Sequence, residues 1–271
     1  MSCSDKFRQK TVCSRGKADL NCESKRKFYN LGTCRALKGS VYALMIYLDD
    51  NVSSWSHTEI TYGCAPKLKL GLEFLSRKAG EWNTYLKFRV GNYYTDFSEG
   101  THVRYSGCVE SDIVSNPHSA DILQQAARSV GFSSIGEFHK YIKKFSGEEQ
   151  VMYFIVLNKE GRSYAMSDMI NDGRDYVEYC VLFAKDGDEK YDFMSFTAAH
   201  ETLHLFGAED YYDPYHKFPK RRLLASRLYP DDIMLCCFEN INSSTVGAFT
   251  AYSVGWTDRM PKECDTPEWW E

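Results

Sequence analysis

No stretch of this 271-residue chain is apolar for long enough to cross a bilayer. The longest apolar runs are of the length of residues 41–48, whereas a spanning helix needs about twenty residues. No two of the ten cysteines form a C-x-x-C pair, which removes a zinc ribbon or a thioredoxin-like redox site. There is no internal repeat and no low-complexity tract. Positive charge is not in excess, with 33 Lys and Arg against 37 Asp and Glu and a net charge of −4. A globally basic nucleic-acid binder is thereby excluded. No apolar segment for export follows Met1-Ser2-Cys3-Ser4-Asp5-Lys6. As written, the chain fits a cytoplasmic protein, and a removed leader would make it a secreted one.

What is present is a core-forming composition: 43% hydrophobic, 15% aromatic and 26% charged residues. Disorder is ruled out on that ground, and one long domain with additions is expected. The charge is unevenly spread. Residues 1–39 hold ten Lys or Arg and three acids, a surplus of seven positive charges, so the remainder carries −11. The chain therefore divides into a basic, cysteine-containing N-terminal arm, 1–39, and an acidic body, 40–271. The arm suits docking on that body, a membrane surface or nucleic acid, or plain solvation. An even cysteine count suggests disulfides, and the sequons at Asn51 and Asn242 fit secretion.

Along the body, 41–48 is expected as a buried strand and 68–82 as a helix beginning after Pro66. A half-buried strand follows at 85–94, then a long polar connection over 96–118. Two helices divide near Gly131 within 119–145, the second capped by Ser133 or Ser134. Apolar runs at 151–157 and 176–184 are expected as strands, with a turn region between them. In 193–207, Phe196, Ala199, Leu203 and Phe206 form one apolar stripe, the mark of an amphipathic helix packed on the sheet.

That helix carries the chemistry. His200 and His204 stand four residues apart, so their rings leave one face about one turn apart and can share a Zn²⁺ ion. Glu201 lies about 100° further round, placed to take a proton from a water on the metal. Gly207 can adopt the left-handed conformation that turns the chain, bringing Asp210 back as a third ligand. His216 and Asp213 compete for that role. The bland alternative is a surface helix with solvated histidines and Gly207 as a plain helix end. His57, His102, His118 and His139 have no spacing partners and are expected to be surface or structural.

The string His200, Glu201, His204, Gly207, Asp210 resembles the extended zinc motif of the metzincin metallopeptidases. Its aspartate resembles the snapalysin-like branch, most metzincins having a third histidine. The resemblance implies an α+β, zincin-like fold: a twisted mixed sheet, an active-site helix and a smaller C-terminal subdomain. It implies one catalytic Zn²⁺ held by His200, His204 and Asp210, Glu201 as general base, and endopeptidase action on a peptide or protein. It also implies a methionine-containing turn beneath the metal. Met234, 24 residues after Asp210, is the candidate, followed by a helix over 243–256. One departure is plain. Several metzincins have a tyrosine two residues after that methionine, and here the position is Cys236, followed by Cys237. Tyr211, Tyr212, Tyr215 and Tyr229 are the nearby substitutes. A catalytically inactive, zinc-stabilised binding protein is the alternative function.

Overall fold

The structure is a computed structural model that describes residues 33–91, 101–111, 119–166, 170–171, 175–185, 193–212, 219–238 and 240–270. Most of the expected arm, together with Cys3, Cys13, Cys22, His118, Asp213, Tyr215 and His216, lies outside the described residues.

The longest apolar run becomes the centre of the sheet. β1 (Gly39–Asp49) is β-branched, aromatic and leucine-rich, and its middle residues are buried on both faces. On one edge it pairs in parallel with β2 (Leu86–Gly91) and then with β3 (Thr101–Arg104). On the other edge it pairs in parallel with β4 (Gln150–Leu157), which in turn pairs in parallel with β8 (Tyr179–Phe183). β5 (Tyr164–Met166) runs antiparallel to β8 and forms the edge of the described sheet. β6 (Ile170–Asn171) and β7 (Asp175–Tyr176) form a separate small hairpin. The architecture is thus mixed α and β around a mixed sheet, as expected.

The period of two decides which helix covers which face. Val41, Ala43, Met45 and Tyr47 point with Met152, Phe154, Val156, Cys180 and Leu182 to one core. That face is covered by α1 (Ala65–Glu81) and α4 (Phe193–Leu205). Tyr42, Leu44, Ile46 and Leu48 point to the other, under α2 (Ser119–Ser129) and α3 (Ile135–Ser146). Ser134 caps α3 by accepting from Glu137 N, and Gly131 sits at φ +95° in the break between α2 and α3. The C-terminal segment includes α5 (Pro219–Leu228), α6 (Ala248–Ser253) and α7 (Pro267–Trp270), and it joins the first core.

Several sequence expectations are corrected. The polar connection 96–118 contains strand β3, and the turn region after β4 contains β5 and the small hairpin. The helix after Pro66 is preceded by a π-helical turn, Glu59–Cys64, whose entry is fixed by reciprocal bonds between Ser56 and Glu59. Helix α4 is not amphipathic. Ten of its residues are buried, His200 and Glu201 among them, because α1 packs along its flank on the same face of the sheet and the C-terminal segment joins the same core. The expected helix over 243–256 shrinks to α6, since Thr245 instead bridges to Asp232. No disulfide joins two of the described cysteines.

The last residues of the expected arm are part of the body. Glu178 is fully buried, and its carboxylate accepts from Thr33 N and Cys34 N, each at 3.1 Å. Thr33 also exchanges bonds with Val151, and the Trp256 indole donates to the Leu37 carbonyl at 2.6 Å. Burial pushes the Glu178 carboxyl up to about 7, against the pull of these donors.

Two predictions follow from packing and charge. Gly71 faces α4 so closely that a Cβ there would lie 2.4 Å from the Ser195 carbonyl oxygen. Helix propensity alone favours alanine by about 0.8–1 kcal/mol. The clash is with backbone and reverses the sign, so Gly71→Ala destabilises by about 1–3 kcal/mol in denaturant titration. A carboxyl with a folded-state value above its unfolded one favours folding below the unfolded value, near 4.5 for Glu178, and withdraws that contribution as the pH climbs to about 7. The stability difference between the wild type and Glu178→Gln therefore shifts by about 3 kcal/mol against the wild type between those limits. Unfolding curves taken across that pH window measure it.

Candidate metal centre

Helix α4 ends in a way that the sequence dictates. Gly207 takes φ +102°, Gly207 N donates to the His204 carbonyl and Ala208 N to the Leu203 carbonyl, each at 3.0 Å. This is the Schellman arrangement, and it folds the chain back over the last turn. The Ala208 carbonyl is thereby delivered to His204 Nδ1 at 2.8 Å. His200 Nδ1 lies 3.0 Å from the Ile233 carbonyl. A ring nitrogen facing a carbonyl oxygen must carry the proton, so each imidazole in its neutral form presents Nε2 as a lone pair.

Those two Nε2 atoms are 3.1 Å apart, and Asp210 Oδ1 is 3.2 Å from each. Ligand atoms in a tetrahedral zinc shell, at bonds of about 2.0–2.1 Å, stand about 3.3 Å apart. The triangle fits that span to within a few tenths of an ångström. Asp210 Oδ1 is buried, with the two imidazole Nε2 atoms as its partners. Three lone-pair atoms converging at these distances require a positive charge among them. Burial works against the charged form of His204, but the Asp210 carboxylate outweighs it and raises the imidazole to about 10. Burial likewise opposes ionisation of Asp210, and the two histidines hold it well below the usual carboxylate range. Among the described residues this is the one group of three or more His, Cys, Asp or Glu close enough to share an ion.

The surroundings fix the ligands. The His200 ring stacks against Phe196 at 5.7 Å and Tyr212 at 6.3 Å, and meets His204 edge-on at 4.7 Å. Glu201 is buried on the same helix, and its charge helps raise both His204 and Tyr212. Burial pushes the Tyr212 hydroxyl well above its ordinary range, with Asp210 adding to the effect, while a bond from the Arg162 side chain opposes it. Behind Glu201 lies the buried thiol Cys180, raised by burial and then by the Glu201 charge.

The turn at Met234 lies directly under His200. Met234 is fully buried, its carbonyl accepts from Tyr211 N at 2.9 Å, and the preceding carbonyl is the one that receives His200. Burial pushes the Asp232 carboxyl up to about 6, against bonds from Met234 N, Gly247 N and Thr250.

Other candidates go elsewhere. The Glu209 carboxylate pairs with the buried Arg221, whose Nε donates to the Trp269 carbonyl at 3.0 Å. Cys236 is half-buried, its thiol raised by burial, and neither it nor the exposed Cys237 joins the ligand group. His139 is buried against the Tyr153 hydroxyl, His102 pairs with Asp49, and His57 is exposed beside Thr61. Tyr211 is fully buried and Tyr229 half-buried, both against Trp269. Sequence reasoning missed Arg162, Asp232 and Thr250, which have no spacing relation to the motif. Tyr212, two residues past Asp210, was among its substitutes.

No protein-family model matches the chain, and no curated protein matches it.

Losing an outer partner of a zinc ligand costs about 10–100-fold in affinity, so losing a ligand costs more. Asp210→Ala is expected to weaken zinc binding by more than about a hundredfold in competition with a chromophoric chelator. Glu209→Gln, altering a carboxylate engaged by Arg221, is expected to leave zinc affinity near the wild-type value.

Proposed function

We propose that the protein is a zinc-dependent peptidase in which His200, His204 and Asp210 hold the metal and Glu201 is the general base. The convergence of three lone-pair atoms within 3.2 Å of one another, beside a carboxylate on the same helix, carries this reading. Three protein donors out of four are what a catalytic zinc site uses, whereas structural sites take all four from the protein. A zinc ion there supplies Lewis acidity, polarising a carbonyl and lowering the pKa of water from about 15.7 to about 7.

The chain's own residues supply the rest. Glu201 takes the proton from the attacking water and passes it to the leaving amine. Nδ1–H bonds to the Ile233 and Ala208 carbonyls keep both imidazoles in one tautomer and orientation. Tyr212 packs against His200 with its hydroxyl on Arg162, in a chain that lacks tyrosine two residues after Met234. β5 is the edge of the described sheet and α4 packs against it, so an extended peptide adds to the Tyr164–Met166 strand beside the ligands. The mixed sheet, the ligand-bearing helix and a C-terminal segment with the Met234 turn support the metzincin-like architecture that the motif implies. A purely zinc-stabilised binding protein needs no carboxylate at position 201.

Glu201→Gln is expected to keep one zinc per chain while hydrolysis of a peptide library falls by about 10²–10⁴-fold. Hydrolysis at the wild-type rate in that variant, or none by the zinc-loaded wild type, overturns the proposal.

A further inference from the structure

Asp232 is fully buried and takes no part in metal binding or proton transfer as proposed above. Its carboxylate nonetheless has three donors, one in its own turn and two at the start of α6. Met234 N donates to Oδ1 at 2.7 Å, Gly247 N to Oδ2 at 2.6 Å, and the Thr250 hydroxyl to Oδ2 at 2.9 Å. The first two bonds shape the turn around Ile233, whose own N–H donates to the Thr245 carbonyl at 3.0 Å. The Ile233 carbonyl is left pointing at His200 Nδ1.

The third bond reaches the other side of the ligand triangle. The single Thr250 proton goes to Asp232, so in the 2.6 Å contact between the two hydroxyls Tyr211 donates and Thr250 accepts. Tyr211 follows Asp210 directly in the chain, and its backbone N–H is bound to the Met234 carbonyl. One carboxylate therefore ties together the carbonyl that orients His200 and the residue that anchors Asp210.

We propose that Asp232, acting through Thr250 and Tyr211, is the positioning residue of the metal centre. It sets the Ile233 carbonyl on His200 and holds Asp210 at bonding distance from the ion. The inference rests on the proposed reading that His200, His204 and Asp210 bind zinc. Its physical basis is the cost of a half-satisfied buried network. Removing the Thr250 hydroxyl leaves the Tyr211 O–H without its acceptor and takes one donor from a buried carboxylate, so the turn and the Asp210 segment lose their common tie.

The test compares Thr250→Val with Thr250→Ser, alongside Asp232→Asn and Tyr211→Phe. Zinc affinity is read by chelator competition, ligand geometry by the visible absorption bands of the cobalt(II)-loaded protein, and folding by melting of the metal-free form. Thr250→Val is expected to lose about tenfold in zinc affinity and to shift the cobalt bands, and Asp232→Asn to lose at least as much. Thr250→Ser keeps the hydroxyl and is expected to behave as wild type. If Asp232→Asn does not fold, the valine and serine pair decides. Wild-type affinity and unchanged cobalt bands in folded Thr250→Val and Tyr211→Phe overturn the inference. Absence of zinc uptake by the wild type overturns the peptidase reading on which it stands.

Discussion

Two imidazole nitrogens and a carboxylate oxygen standing 3.1–3.2 Å apart repel one another unless a proton or a metal ion lies among them. Each member is also held from behind. His200 is held by the Ile233 carbonyl, His204 by the Ala208 carbonyl, and Asp210 by the fully buried Tyr211 that follows it. The helix that carries both histidines is itself immobilised. It lies on the sheet with α1 packed along its flank, and the approach at Gly71 leaves no room for even a methyl group. Burial of α4 on nearly every side therefore serves the placing of the two histidines as much as the core.

Buried carboxylates recur as the joints of this fold. Glu178 binds the amides of Thr33 and Cys34 to the start of β8. Asp50 accepts from Val52 N, Ser53 N and Val109 N and pairs with Lys159, tying the end of β1 to the segment after β3. Burial opposes its ionisation, but Lys159 and the amides outweigh that and hold it at about 2. Asp232 does the same for the C-terminal segment. A buried carboxylate is expensive alone and less so when several donors converge on it, so each one specifies a single mutual placement of the backbone segments it joins. Sheet hydrogen bonds fix register within the sheet, and these joints fix what surrounds it.

The parts of the fold legible in the sequence are those whose signal is local. The apolar runs of β1, β4 and β8 announce strands buried on both faces, and Gly207, Gly131 and the serines at 133 and 134 announce helix ends. β3, with Thr101, His102, Val103 and Arg104, and the three-residue β5 are too short and too polar to show a period. They become strands because β1 and β8 offer them an edge. Helix α4 misleads for the opposite reason. A stripe can be drawn through Phe196, Ala199, Leu203 and Phe206, but a helix covered on two sides has no polar face for a stripe to contrast with. The His200, His204 and Asp210 cluster was legible because three residues and the turn between them fall within eleven positions. Arg162, Asp232 and Thr250 reach the centre only through tertiary folding and leave no spacing to detect.

The turn at 232–234 shows where a motif and its physics part. The turn's direct bonds to His200 and to the residue after Asp210 use its own carbonyls: Ile233 O to the His200 ring, and Met234 O to Tyr211 N. The Met234 side chain contributes volume in a sealed core, a task that its flexible thioether suits but does not monopolise. Orientation comes instead from the side chain two positions earlier, whose carboxylate gathers Met234 N, Gly247 N and Thr250. In this protein, then, methionine marks the place of the turn and aspartate sets its geometry. The direction in which His200 presents its lone pair depends on the second more than on the first.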